Sequence, residues 1–212
     1  MYIFEYVSKV DNMQSKTKVL LIRFSSFGDV TQALSLPAKL KSHFHPCDVH
    51  WVTRQDYKSL LENHPDIDRI WLLDRKQGFL GLLKIAWSLR EQNFTHVYDA
   101  HNNLRSLVIY SFTTFLKFNQ KIRRPIYRWK RILLFRFRIN RFEQPFSGQR
   151  DLIQPLKAWG ISSDLPAAPQ IFLEESSQKT ALDKVKDLKR PFLTLAPSAA
   201  YFLKRWPKEY WK

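Results

Sequence analysis

The sequence predicts an α/β fold built on a parallel sheet. Short runs rich in Val, Ile, Leu and aromatic residues alternate with stretches of helical spacing, the trace that βαβ units leave in a sequence. Most of the helical stretches exceed ten residues, long enough for the right-handed crossovers that parallel strands require. Of the 212 residues, 44% are hydrophobic and 15% aromatic, so the chain can bury a sizeable core.

Each element has its own warrant. Residues 18–24 (KVLLIRF) read as a buried strand. Residues 29–43 have helical spacing that Pro37 must kink or interrupt, because proline lacks the N–H a helix interior needs. Residues 48–54 (DVHWVTR) alternate like a strand, and 56–63 read as a short helix. Residues 69–74 (RIWLLD) give a third strand, 80–92 (LGLLKIAWSLREQ) a helix, 95–100 (THVYDA) a fourth strand and 104–117 a strongly apolar helix. Together they predict a Rossmann-like domain.

The composition then shifts. Residues 121–150 hold ten Lys and Arg against one acid, Glu143, interleaved with Tyr127, Trp129, Phe135, Phe137, Phe142 and Phe146. Residues 151–159 read as a helix closed by Gly160 at its C-terminal cap. Residues 162–169, rich in Ser, Pro and Ala, look like an interdomain linker. Beyond it come a charged helix (176–189), a strand (191–195) and the start of another helix (204–212), a second α/β unit opened and not completed. The expected division is an N-terminal domain over 1–160, a linker over 161–175 and an incomplete C-terminal domain over 176–212. An incomplete second unit is expected to leave Phe192, Leu193, Leu195, Phe202 and Trp206 partly exposed.

Charge narrows the partners. There are 35 Lys and Arg against 19 Asp and Glu, a net charge of +16, which calls for an anionic partner such as nucleic acid, a phosphorylated lipid or an acidic membrane face. No RNP-like, KH-like or helix-turn-helix signature is present, so nucleic acid is not expected. Cys47 is the only cysteine, which rules out an internal disulfide and suits a reducing compartment. Residues 1–16 lack a basic segment followed by an apolar one, and no apolar run approaches the roughly 20 residues that span a bilayer. A cytoplasmic protein, peripheral on the inner face of the cytoplasmic membrane, is expected.

Residues 25–29 (SSFGD) fall between the first strand and its helix, where open α/β sheets bind ligands. Gly28 suits a tight turn or the close approach of a substrate, and the helix N-terminus offers N–H groups. One glycine stands where the dinucleotide fingerprint needs three, and there is no Walker pattern. Asp29 has two readings, a helix cap and a working carboxylate, and spacing alone favours the cap. The six histidines show no zinc spacing, and no metal is assigned. His101, just past the fourth strand, either lines a cleft or is a loop histidine without a role.

The stretch VLLIRFSSFGDVTQALSLPAKL resembles the N-terminal signature of the family-nine glycosyltransferases, the heptosyltransferases of lipopolysaccharide core assembly. The resemblance continues through HPDIDRIWLLDR and FTHVYDAHNNLRSLVIYSF, where the family has an Asp, a short loop and a basic residue followed by Ser. It extends to DLIQPLKAWGI and to LAPSAAYFLKRWPKEYW, similar to the family's K-R/H-W-P segment.

That resemblance implies a GT-B glycosyltransferase, α/β with a Rossmann-like parallel sheet and, here, a truncated second domain. The first domain would hold the acceptor and the second the nucleotide-sugar, with no cofactor beyond an ADP-sugar donor. By the same resemblance Asp29 is the general base of an inverting, metal-independent transfer, presented by Ser25, Ser26 and Gly28. Lys204 meets the donor diphosphate, against the plainer reading of an exposed lysine before a helix start. Arg105 lies near a phosphorylated, lipid A-type acceptor, against the plainer reading of a solvated residue in the first turn of a helix. Arg123 and Arg124, at the start of the basic tract, are expected among the acceptor ligands. The loop before K-R-W-P departs from the family's Gly- or Thr-containing version: Ser198 is its only hydroxyl ahead of Tyr201. A remnant that binds anionic lipid or lipopolysaccharide intermediates without turnover is the competing function.

Overall fold

The computed structural model describes residues 16–164, 171–189, 191, 193, 199 and 202–210. The chain divides into two compact units, Met1–Phe172 and Leu173–Lys212.

The first unit is a five-stranded parallel sheet with helices on both faces. Its strands are β1 (Thr17–Ile22), β2 (Cys47–Arg54), β3 (Arg69–Leu73), β4 (His96–Asp99) and β5 (Gln120–Arg123), in the order β3-β2-β1-β4-β5. Strand β1 is central, with Val19 level with Val49 of β2 and Ile22 level with Asp99 of β4. A central parallel strand is buried on both faces, which explains why Val19–Ile22 is apolar without alternation.

The two-residue period of the strand divides those side chains between two cores. Val19 and Leu21, with Val49, Trp51 and Tyr98, pack on one side against Val30, Leu36, Leu40, Leu152, Leu156 and Trp159. Leu20, Ile22 and Phe24, with Val52 and Val97, pack on the other against Leu82, Ala86, Leu89 and Ile109. Helices α1 (Phe27–Ala33), α2 (Ser35–His43) and α6 (Gly148–Ile153) supply the first layer. Helices α3 (Gly78–Glu91) and α4 (Leu104–Thr114) supply the second. The polar ends of the buried aromatics are satisfied: the Tyr98 hydroxyl donates to the Leu152 carbonyl at 2.6 Å, and Trp51 Nε1 donates to the Arg23 carbonyl at 3.2 Å.

Several boundaries differ from the sequence expectation. The helix expected over 29–43 is two helices joined at Leu34, and Pro37 is not the break. Pro37 sits in the first turn of α2, where its missing N–H would have had no partner in any case. The short helix over 56–63 is a 3₁₀ helix, Gln55–Leu60. The helix expected over 151–159 is the end of α6 followed by a 3₁₀ helix, Gln154–Trp159, and Gly160 closes it at φ +82° as a left-handed cap. The basic tract, for which the sequence suggested no particular elements, contains β5 and α5 (Arg128–Phe137). Among the described residues no helix is long and apolar enough to cross a membrane.

The second unit contains α7 (Glu175–Val185) and two 3₁₀ turns, Phe202–Lys204 and Lys208–Tyr210. Helix α7 carries Glu175 in its first turn and Lys184 in its last, the arrangement its dipole favours. Trp206 meets Tyr210 edge to face and donates from Nε1 to the Tyr210 carbonyl at 3.0 Å. Leu193, Phe202 and Trp206 are exposed, while Phe192, Leu195 and the rest of the strand expected over 191–195 lie outside the described residues, apart from Pro191.

Candidate functional site

At the carboxyl ends of β1 and β4 the chain gathers its buried charge. Arg23 follows β1, and its backbone N–H still donates to the Val52 carbonyl at 3.1 Å. Its side chain is only 6% exposed. Nη1 donates to the Ala100 carbonyl at 2.5 Å, and Nη2 meets Asp29 Oδ2 at 2.7 Å. Ser26 precedes α1 as its N-cap, and both its N–H (3.1 Å) and its hydroxyl (2.9 Å) donate to that same Oδ2. All three donors therefore fall on one oxygen. Asp29 Oδ1 has no hydrogen-bond partner among the described residues, and the side chain is 45% exposed.

The two readings of Asp29 are thus compatible. Oδ2 caps the helix as the third-position carboxylate of a capping box, and Oδ1 remains open. Partial burial pushes the carboxyl pKa upward, but the Arg23 guanidinium and the Ser26 donors outweigh it and hold the pKa below the ordinary value. The group is ionised and held in one orientation through Oδ2, with Oδ1 left open.

Asp99, at the end of β4, is fully buried and fully used. Oδ1 accepts from the N–H groups of His101 (3.1 Å) and Asn102 (2.8 Å). Oδ2 accepts from the Ser106 hydroxyl (3.0 Å) and from Arg123 Nε (3.1 Å). Asn103 caps α4 by accepting from the Ser106 N–H at 2.8 Å, so the strand end and the helix start are fastened together.

The expected site residues are placed as follows. Ser26 and Asp29 touch, and Ser25 is the residue just before the cap. Gly28 does not have positive φ, so the turn does not require glycine, and an added Cβ would project into open space. Arg105 is exposed in the first turn of α4. Arg123 and Arg124 are already engaged within the chain. Arg123 Nη2 donates to Asn102 Oδ1 at 2.5 Å in addition to the Asp99 contact, and Arg124 holds Asp151 through Nε at 2.9 Å and through Nη2. Lys204 is exposed in the second unit, and Ser198 lies outside the described residues. Arg23 and Asn102 went unnoticed in the sequence, and Asp99 entered only as the Asp of the family-like stretch FTHVYDAHNNLRSLVIYSF, without a role; the remaining signal was a polar residue ending an otherwise apolar strand.

His101 packs edge to face against Phe24 at 5.2 Å, and its Nδ1 is buried without a partner among the described residues. Burial, reinforced by Arg23, pushes its pKa down to about 4, and burial also lowers His50, His64 and His96. Each of these binds a proton more weakly when folded than when unfolded. Stability is therefore expected to fall as pH drops from 6.5 toward about 4, the window between the two states of His101. Thermal melts at about pH 7.5 and about pH 5 check this. Equal midpoints would show that the four rings are not held neutral.

Residues 82–212 match the profile of glycosyltransferase family 9 (heptosyltransferase), a stretch that begins after the Asp29 turn. Lipopolysaccharide heptosyltransferase 1 of Campylobacter coli is 27% identical over 93 residues, covering 43% of this chain and 27% of that protein. Among solved structures, a family 9 glycosyl transferase of Veillonella parvula is similar at a TM-score of 0.68 and 16% identity, over 91% of this chain and 57% of that one. An ADP-heptose lipopolysaccharide heptosyltransferase II of E. coli follows at 0.56 and 16%, over 90% and 58%. An E. coli heptosyltransferase with ADP follows at 0.53 and 17%, over 72% and 50%. The chain thus spans little more than half the length of these solved relatives, and at such identities they carry the fold, the α/β parallel sheet of GT-B enzymes. With the family profile matching more than half of its residues, the chain belongs to glycosyltransferase family 9, the heptosyltransferases.

Proposed function

We propose that the first unit is the acceptor side of a heptosyltransferase of lipopolysaccharide assembly. Heptose passes from ADP-heptose to an anionic, lipid A-linked acceptor, with inversion and without a metal, at the cytoplasmic face of the membrane. The observation that carries this is the carboxylate of Asp29, fixed through Oδ2 and open at Oδ1. In the transfer, the acceptor hydroxyl oxygen bonds to the anomeric carbon and its proton passes to Oδ1. The bond from that carbon to the diphosphate oxygen breaks, and its electron pair leaves with ADP. Geometry within hydrogen-bond reach matters more here than a raised pKa.

Arg105, exposed in the first turn of α4, is assigned to phosphate or carboxylate groups of the acceptor, which guanidinium binds bidentately. Ser25 and Ser26 shape the approach, and Gly28 leaves it open. Arg123 and Arg124 each spend donors on a carboxylate of the chain, Asp99 and Asp151, so they hold the strand ends beside the site and are not free for the acceptor. In the second unit Lys204 is assigned to the donor diphosphate, where a fixed ammonium favours the charge that develops on departure.

Incubation with ADP-heptose and a lipid A-linked acceptor, with a chelator present, tests the proposal. A product of inverted anomeric configuration is expected. Acceptor binding with no transfer would favour the remnant, and transfer that needs a divalent ion would remove the metal-independent mechanism.

A further inference from the structure

Helix α5 has an unusual outer surface. Lys130, Leu133 and Leu134 are half-buried, at the i, i+3, i+4 spacing of an inward face. Lys130 lies over the rings of Tyr127 (4.7 Å) and Phe142 (5.9 Å). The opposite positions, Arg128, Arg131, Ile132 and Phe135, follow i, i+3, i+4, i+7 and are exposed, with Trp129 and Arg136 flanking them. Trp129 is 78% exposed, Phe135 74% and Ile132 45%. No residue of α5 is buried. Residues 121–142 contain no Asp or Glu, and the nearest acid, Glu143, pairs with Arg150 at 3.4 Å.

We infer that this face of α5 is a docking surface for an anionic lipid membrane. Three guanidinium groups match the charge of acidic headgroups, and the three large apolar side chains between them fit the boundary between headgroups and acyl chains. A nucleic acid would satisfy the arginines and leave Ile132 and Phe135 in water. Position also favours α5. It follows β5 by the four-residue link 124–127, at the sheet edge where β1 and β4 deliver Asp29 and Asp99. A second apolar patch, around Trp87, Phe112, Phe115, Leu116 and Phe118, lies at the far ends of α3 and α4, the opposite edge of the sheet. Docking through α5 brings the Asp29 turn to the lipid surface. That orientation, though not the docking itself, rests on the lipid-linked acceptor proposed above.

The test uses the whole chain and vesicles of phosphatidylcholine with or without phosphatidylglycerol, with no sugar substrate present. Binding is expected only with phosphatidylglycerol, and weakening as salt shortens the Debye length below about 8 Å. Arg128→Gln, Arg131→Gln and Arg136→Gln together should weaken it on the order of a hundredfold. Trp129→Ser with Phe135→Ser should weaken it at least about tenfold. An environment-sensitive dye on Phe135→Cys should report an apolar surrounding when vesicles are added, and the same dye on Leu116→Cys should not. The native Cys47 does not compete for the dye, being buried with its thiol pKa pushed up to about 11. A response at position 116 instead, at neither position, or equally with neutral vesicles overturns the inference. So does tight binding of a single-stranded oligonucleotide with none to vesicles. Vesicle binding without sugar transfer would leave the docking intact and remove the transferase proposal; transfer without vesicle binding would do the reverse.

Discussion

Replacing Asp29 by Asn is expected to lower turnover by roughly two to four orders of magnitude, the range that general-base catalysis supplies. The loss should fall on kcat with KM little changed, because proton transfer is felt in the transition state and not in ground-state binding. Capping alone would have changed stability little, since the Asn amide oxygen can still accept from the Ser26 N–H. Arg23 alters that expectation: its nearly buried guanidinium loses its only carboxylate partner among the described residues. A cost of about 1–2 kcal/mol follows, at the low end for a lost charged hydrogen bond because Asp29 itself is half-exposed. Steady-state kinetics and urea denaturation of the same preparation separate the two effects. Normal turnover with lowered stability would reduce Asp29 to a cap.

Asp99→Ala is expected to be the more damaging change to the fold. The carboxylate is wholly buried and accepts from two backbone N–H groups, the Ser106 hydroxyl and Arg123. Removing it leaves buried donors without an acceptor and the Arg123 charge without its partner, a loss of about 3–5 kcal/mol. Against the roughly 5–15 kcal/mol that holds a typical domain, such a loss endangers folding. Urea denaturation and the circular dichroism of the variant measure it. A midpoint within error of the native chain would show that the strand-end network is not what fastens β4 to α4.

The sheet was legible because central parallel strands are apolar on both faces, so Val19–Ile22 and Val97–Tyr98 stand out in any window. Edge strand β5, with the sequence QKIR, is exposed or half-buried throughout and carries no such pattern, and so it dissolved into the basic tract. Helix α5 was hidden in the same way, because aromatics and arginines alternate around it with no wholly apolar stripe. The break in the first crossover helix was legible, but its place was not: Pro37 was compatible with the first turn of a new helix, and the chain turns three residues earlier.

The site divides along similar lines. The Asp29 turn could be found from its position after a buried strand. Its anchor could not, because Arg23 reads as the polar end of that strand, and its contact with the Ala100 carbonyl joins residues 77 apart in sequence. The same holds for Arg123 and Arg124, which looked like free cations for an acceptor and which the fold pairs with Asp99 and Asp151.

A titration of the isotope-labelled chain with a phosphorylated, lipid A-linked sugar acceptor, read at every backbone amide, tests most directly whether the Asp29 turn is where the acceptor sits. The amides of Ser26, Gly28, Asp29, His101 and Arg105 are expected to shift together with a single affinity, and Asp29→Asn is expected to bind the acceptor about as well as the native chain. Shifts that leave residues 26–29 and 101–105 unmoved, or that vanish in Asp29→Asn, would contradict a base held by Arg23 and Ser26 beside a bound hydroxyl.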